Sequence, residues 1–108
     1  MSEPTFFVLT ALVGEPRHGY GILGEVDELS AGRVQLRIGS LYGILDRLVG
    51  EGLVEFDRDE THQGRLRRYY RITNAGVAAV RAEAARQAAN ARAASRRIRI
   101  AENRGEFA

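Results

Sequence analysis

The segment Arg37–Thr73 decides the fold, and it reads RIGSLYGILDRLVGEGLVEFDRDETHQGRLRRYYRIT. Its apolar residues repeat first with helical spacing and then with strand spacing, and a polar, turn-rich stretch separates two strands. A short helix, a glycine stop, a strand, a polar loop and a basic strand occur in the order that a winged helix-turn-helix needs. The segment therefore predicts a DNA-binding domain and leaves little room for an enzyme.

The helix of this segment is expected over about Gly39–Glu51, with Ser40 or Gly39 near its N-cap and Gly52 after its end. Its opposite face is small and polar, so it could lie close to a nucleic-acid groove. Asp46 on that face could accept a hydrogen bond from a cytosine amino group or pair with Arg47, and the pairing is favoured. The apolar stripe consists of Leu41, Ile44, Leu45, Leu48 and Val49.

Two strands follow this helix. Val54 and Phe56 alternate with acidic residues on the first strand, and Tyr70 and Ile72 alternate with polar residues on the second. The link Asp59–Gly64 is polar and rich in turn formers. The pattern predicts a hairpin wing in which Tyr70 and Ile72 face the core.

Two helices are expected before this segment. Thr5–Val13 is apolar almost all round, so a second subunit is expected to cover part of it. Gly19–Leu29 carries one apolar stripe, and Val34–Leu36 is expected to form a short strand. The stripe residues are Ile22, Leu23, Val26 and Leu29.

A long helix is expected to begin after an N-cap at Thr73 and to run past Ile98, with a frayed tail at Asn103–Ala108. Its heptad seam is mostly alanine, which predicts pairing with the same helix of a second copy or with the first helix of that copy. We expect residues 1–73 to form the winged helix-turn-helix and residues 74–108 the dimerisation helix and tail. The expected dimer interface comprises Phe6, Phe7, Val77, Val80, Ala84, Ala91, Ala94 and Ile98.

Composition limits the possible functions. The 108 residues carry a net charge of +2 and contain no cysteine, which excludes a disulfide framework or a thiolate metal site. Residues 1–60 hold five arginines and eleven acids, whereas residues 61–108 hold eleven arginines and three acids. This asymmetry suits binding to a polyanion such as DNA. No leader or membrane span is evident, so we expect a cytoplasmic protein without a membrane partner.

Five groups of residues lie in register within roughly residues 6–80: His18–Tyr20, Gly39–Tyr42, Leu45 and Leu48, Glu51–Val54, and Arg68–Thr73 with Gly76. Together they resemble the PadR family of transcriptional regulators. The resemblance implies a mainly α, α+β fold: a winged helix-turn-helix with an additional long C-terminal dimerisation helix. It also implies a homodimeric repressor that is released by an effector, in the family's short form.

The expected operator is pseudo-palindromic double-stranded DNA. The wing arginines and the start of the third helix are expected to contact phosphates, with Arg37, Arg47 and Gln63 as candidates for base contacts. The wing strand is expected to carry most of the positive potential. The full set of expected DNA-binding residues is Arg37, Gly39, Ser40, Tyr42, Gly43, Arg47, Gln63, Arg65, Arg67 and Arg68.

Two other functions remain open. One is a sensor whose ligand, a small molecule or less readily a divalent metal, binds in an apolar pocket at the dimer interface near Phe6 and Phe7. The other is a winged helix that binds only proteins. No cofactor and no metal site is expected: His18 is expected to cap the second helix, and His62 beside Asp59 and Glu60 lacks the spacing of metal ligands.

Overall fold

The computed structural model describes residues 1–107. In chain order the elements are α1 (Glu3–Ala11), β1 (Arg17–His18), α2 (Gly19–Leu29), α3 (Ile38–Gly50), β2 (Val54–His62), β3 (Arg65–Ile72) and α4 (Asn74–Asn103). The strands form one antiparallel sheet in the order β1-β3-β2. This mainly helical arrangement confirms the expected winged helix-turn-helix with a long C-terminal helix.

The core lies where α1, α2 and α3 converge on the sheet. The stripe predicted on α3 is confirmed, since Leu41, Leu45 and Leu48 are buried and its flanking members pack against the core. The stripe predicted on α2 ends one turn early, because Leu29 is exposed. The largest buried side chains are Leu9, Leu12, Ile22, Leu41, Leu45, Leu48, Val8, Val26 and Val54.

The short strand expected at Val34–Leu36 is wrong. Val34 lies in a loop, where the Ser30 Oγ at the end of α2 accepts a hydrogen bond from the Val34 N–H at 3.0 Å. The third strand is instead Arg17–His18, which pairs with Tyr70 and Tyr69 on the free edge of β3. The serine holds the Val34 backbone at the helix end and away from the sheet.

The two strands of the wing are longer, and its turn is shorter, than the polar composition predicts. β2 and β3 pair as far as His62 and Arg65, so only Gln63 and Gly64 form the turn, and both have positive φ, 51° and 77°. Positive φ at both central residues is the requirement of a type I′ turn, whose twist matches that of the flanking strands. The expected loop over Asp59–Gly64 is therefore mostly strand.

A bulge in β2 breaks the predicted alternation of that strand. Phe56 lies opposite Tyr70, whereas the next paired residue is Arg58, which leaves Asp57 as the extra residue. Phe56, which lies before the bulge and opposite Tyr70, is 51% exposed. Val54 and Tyr70 remain buried, so the prediction holds for β3 and for the first residue of β2.

The N-terminus of α4 is capped by a side chain, whereas the N-terminus of α3 is not. Arg37, rather than Gly39 or Ser40, is the N-cap of α3, and it makes no side-chain capping hydrogen bond. Thr73 caps α4 as predicted, since its Oγ1 accepts from the Gly76 N–H at 3.0 Å. The same hydroxyl donates to the Gly52 carbonyl at 2.7 Å.

Gly76 allows α4 to begin directly against the end of α3. A Cβ at this position would overlap the Leu53 carbonyl and the Ile72 side chain. The Leu53 carbonyl also accepts from the Thr73 N–H at 3.0 Å. The junction between the wing and the C-terminal helix therefore depends on a residue without a side chain.

Most of α4 projects from the body. The helix packs against α1 and β3 near its start, and the side chains from Ala84 to Ile100 are exposed. The radius of gyration of 17.9 Å exceeds the value of about 13 Å expected for a compact chain of this length. No helix within residues 1–107 is long and apolar enough to cross a membrane.

The end of α4 has a regular helix C-cap within the segment that was expected to fray. Gly105 has a φ of 74°, the Gly105 N–H donates to the Glu102 carbonyl, and the Glu106 N–H donates to the Ala101 carbonyl. These two bonds make a Schellman motif. The last residue of the expected tail, Ala108, lies outside the described residues.

Replacing Gly76 with alanine is expected to destabilise the protein by about 2 kcal/mol, because overpacking a tight contact forces the backbones apart. Chemical denaturation measures this change. Gly24→Ala is the matched control: a Cβ there meets nothing within 4 Å, so it should stabilise α2 by up to about 1 kcal/mol. Equal effects of the two substitutions would contradict the proposed close approach.

His18 makes stability depend on pH. Burial, then the neighbouring Arg67 and His62, lower its pKa from 6.5, so the unfolded chain takes up the proton first. The stability from neutral His18 is complete above about pH 6.5 and is lost as the pH falls through the lowered pKa of the folded state. Denaturation at pH 7.5 and 5.5 should show a larger loss for wild type than for His18→Asn, which keeps a capping oxygen but does not titrate. Identical losses would rule out this contribution.

Candidate nucleic-acid interface

The exposed face of α3 carries mainly small residues, which leave the helix backbone accessible. Gly39, Gly43 and Gly50 lie on it with Ser40, and a Cβ added at any of the three glycines would meet nothing within 4 Å. A glycine inside a helix costs about 1 kcal/mol relative to alanine. Packing within the described chain does not require these glycines, and they leave the helix backbone open to close approach from outside.

Tyr42 holds the start of α3 against the start of α2. A Cβ at Gly19 would lie 2.8 Å from the Tyr42 Oη and 3.3 Å from the Ile38 side chain. Tyr42 nevertheless remains 40% exposed. The close approach at Gly19 therefore places one phenol at the edge of the α3 surface.

A cleft of about 180 Å³ separates the starts of α2 and α3 from the wing. Its polar side chains are guanidinium, phenol and imidazole groups, and no carboxylate lines it. Such donors suit an oxyanion, and the start of α2 adds the positive end of a helix dipole. The lining residues are His18, Gly19, Tyr20, Tyr42, Arg65, Leu66, Arg67 and Arg68.

In the part of the wing outside the cleft, arginines and carboxylates neutralise each other. Arg71 pairs with Glu55 at 2.8 Å and with Asp57 at 3.2 Å, and Arg58 pairs with Asp57 and Glu60. Hydrogen bonds from Arg58 hold the pKa values of the Asp57 and Glu60 carboxyls below their usual range. These carboxylates therefore stay ionised and offset the nearby arginines.

This pairing corrects the expectation that the wing carries most of the positive potential. Residues 54–72 contain five arginines and four carboxylates, a net charge of only +1. Arg68 pairs with Asp59 at 3.3 Å and lies over the Phe56 ring at 5.2 Å. Within residues 1–107, Arg65 and Arg67 have no carboxylate within 4.0 Å, so the uncompensated charge of the wing lies at its tip and along the cleft.

Arg47 points away from the open face of α3. Its Nη2 donates to the Thr5 Oγ1 at 2.8 Å, and its Nε lies 3.9 Å from Glu51. The expected pair between Asp46 and Arg47 is wrong, because consecutive helical residues diverge whereas residues four apart lie side by side. Arg47 would have to leave α1 to reach a base edge.

The remaining predicted residues lie at the two ends of this surface. Arg37 is exposed at the start of α3, and Gln63 is exposed in the turn of the wing. The structure thus brings Tyr42, Arg65, Arg67 and Arg68 into one cleft and leaves Arg37 and Gln63 outside its lining.

Tyr20 also belongs to the cleft and was missing from the predicted site. It is 69% exposed near the start of α2. The usable signal was its position off the α2 stripe, since a large aromatic residue outside the apolar face has no packing reason to be there. Its phenol is a further donor beside the three cleft arginines.

His18 caps α2 as predicted and also faces the wing. Its Nδ1 accepts from the Gly21 N–H at 3.3 Å, and its Nε2 lies 3.4 Å from the Arg67 Nη1. The Tyr69 ring packs edge-on against the imidazole, with 5.3 Å between ring centroids. Among residues 1–107, no three histidine, aspartate or glutamate side chains are arranged to hold a metal ion.

The groove near the expected dimer interface differs from the apolar pocket that was predicted. It lies between α1 and α4 beside Phe6 and Phe7, and charged residues line much of it: Glu3, Arg33, Glu83 and Arg86. Burial opposes the ionisation of Glu83, but hydrogen bonds from Arg86 and Gln87 outweigh it and lower its pKa. Within the protomer this groove would suit a polar or charged molecule.

Three solved structures share this fold. A PadR family transcription regulator from Clostridium difficile has a TM-score of 0.76 at 19% identity, covering 90% of this chain and 99% of that one. A padr family transcriptional regulator from Eggerthella lenta has a TM-score of 0.70 at 22% identity, covering 87% and 80%. Bacillus subtilis PadR, solved in complex with operator DNA, has a TM-score of 0.62 at 20% identity, covering 71% and 44%.

Sequence comparison adds the family. An uncharacterized protein from Lysinibacillus sphaericus is 30% identical over 71 residues, which is 66% of this chain and 65% of that protein. The chain thus spans slightly less than two thirds of the curated relative it matches. The model of the Transcriptional regulator PadR-like family matches residues 8–82, well over half of the chain. The chain therefore belongs to the PadR-like family, whose members are transcription regulators and not enzymes.

Proposed function

We propose that the protein is a sequence-specific DNA-binding transcriptional regulator. The carboxylate-free cleft beside the open face of α3 is the observation that carries this proposal. The low face of α3 would enter the major groove, while Arg65, Arg67 and Arg68 contact backbone phosphates beside it. The relative solved with operator DNA supports the assignment of DNA as the ligand.

The contributions of the arginines can be separated by the salt dependence of binding. Each phosphate contact that is lost should reduce the slope of log affinity against log salt by about 0.9. Arg65→Ala is expected to produce such a reduction for duplex DNA from upstream of the protein's own gene, measured by fluorescence anisotropy. Arg71→Ala, on the same strand but paired with Glu55 and Asp57, is the matched control and should leave the slope unchanged.

Two results would contradict the proposal. If the wild type shows no salt-sensitive binding to this duplex, DNA is not its ligand. If Arg65→Ala and Arg71→Ala change the slope equally, net charge rather than the cleft governs binding.

A homodimer is the second part of the proposal. Ala84, Ala91, Ala94 and Ile98 are exposed along the projecting part of α4, whereas Val80 and Phe7 already pack against the core of the protomer. A heptad seam without a covering element favours a second copy as its partner. Two copies would present their α3 helices to a pseudo-palindromic operator at a spacing of about 34 Å.

Ile98→Glu tests the dimer, because a carboxylate on the seam would have to lose its hydration on association. Sedimentation equilibrium should give twice the mass of the chain for wild type and a weakened association for this variant. Ile100→Glu is the matched control, since Ile100 is also exposed but lies off the seam. A monomeric wild type, or equal weakening by both substitutions, would argue against this interface.

Repression with release by an effector is the finer part of the proposal. The groove between α1 and α4 supports it, because this groove adjoins the proposed dimer interface and has mixed polar and aromatic walls. A small molecule bound there would change how two copies pack and hence the spacing of the α3 helices. No cofactor is proposed. Calorimetry with candidate ligands, paired with operator affinity, tests the effector, and a ligand that leaves operator affinity unchanged would count against the switch.

A further inference from the structure

Two hydrogen-bond donors face each other at the bottom of the cleft. The Nδ1 of His18 accepts from the Gly21 N–H, so the single proton of the neutral ring lies on Nε2. This Nε2 is 3.4 Å from the Nη1 of Arg67, and a guanidinium only donates. The contact is therefore no hydrogen bond between the two side chains, and both donors lack an acceptor there.

The protein's nearby acids do not supply this acceptor. Glu60 lies opposite Arg67 in the β2–β3 ladder, but its carboxylate pairs with Arg58 at 2.7 Å. Asp59, one residue earlier, pairs with Arg68. Because no carboxylate lines the cleft, the acceptor that would satisfy both donors has to come from another molecule.

We infer that His18 and Arg67 together bind one backbone phosphate of duplex DNA, with a phosphate oxygen lying between the imidazole Nε2–H and the guanidinium. This inference rests on the proposed DNA binding and adds His18, the N-cap of α2, to the residues that contact DNA. The phenols of Tyr20 and Tyr42, with Arg65, surround the same space with further donors. The positive end of the α2 dipole favours an anion at this position.

The site links the backbone of the DNA to the position of α2. His18 keeps its bond to the Gly21 N–H while donating through Nε2, so binding does not disturb the cap. The oxygen also removes the unfavourable approach of two donors. The contributions of His18 and Arg67 to affinity should therefore depend on each other.

A double-mutant cycle tests this dependence, using the fluorescent upstream duplex at constant salt. Arg67→Gln removes the charge, and His18→Asn keeps a capping oxygen but loses the ring donor. Each single substitution should weaken binding by about tenfold, the usual effect of losing a hydrogen bond to a charged group. The double variant should be little weaker than either single variant. Additive losses, about a hundredfold in the double variant, would overturn the shared site, whereas Arg71→Gln should change the Kd by less than about twofold.

The imidazole signals provide a second test that needs no variant at position 18. The chain contains two histidines, and His62→Asn assigns their ring nitrogens in NMR spectra. His18 should show an Nε2-protonated neutral ring in the free protein, and micromolar duplex should shift it. Inorganic phosphate at the same concentration should leave it unshifted.

The outcomes separate the two proposals. An absence of duplex binding would contradict the proposed function itself. Duplex binding with unshifted His18 signals would overturn only the site. An equal shift with inorganic phosphate would show that the site selects a free anion and not the DNA backbone.

Discussion

The close approach of two backbones at Gly76 determines how the functional parts are placed. The end of α3, the start of β2, the end of β3 and the start of α4 meet there, around the Leu53 carbonyl and the Thr73 hydroxyl. These contacts set the angle between the open face of α3 and the wing, and they also set the direction in which α4 leaves the body. One small cluster of contacts around Leu53, Thr73 and Gly76 therefore positions the cleft, the open face of α3 and the projecting helix.

Charge in this domain acts locally. The acids of β2 lie across the ladder from the arginines of β3, and opposite charges on paired strands attract at short range. Interactions between exposed charges fade over about 10 Å at moderate salt, so a modest net charge says little about binding. What distinguishes the cleft is that Arg65 and Arg67 share it with phenols and an imidazole and form no ion pair among residues 1–107, while the acids lie on neighbouring parts of the hairpin.

Regular features of this chain could be predicted from sequence, and features set by tertiary contacts could not. The α3 stripe and the Thr73 cap follow from local periodicity and local hydrogen bonding, and both are observed. A two-residue strand such as β1 is too short to show the apolar–polar alternation of a strand, and the bulge at Asp57 depends on pairing with β3. In the site, the cleft arginines were expected from charge counting. The direction of Arg47 toward Thr5 and the exposure of Tyr20 were not expected, because they arise from the packing of α1 and α2.

The length of α4 has a mechanical consequence. Thirty helical residues span about 45 Å, and the helix is held only near its start. A rotation of roughly 5° at that start would displace the far end by roughly 4 Å, close to the 3.4 Å separation of adjacent base pairs. In the proposed dimer joined through these helices, the angle at which α4 leaves Gly76 would determine whether the two α3 helices reach successive major grooves at the correct spacing.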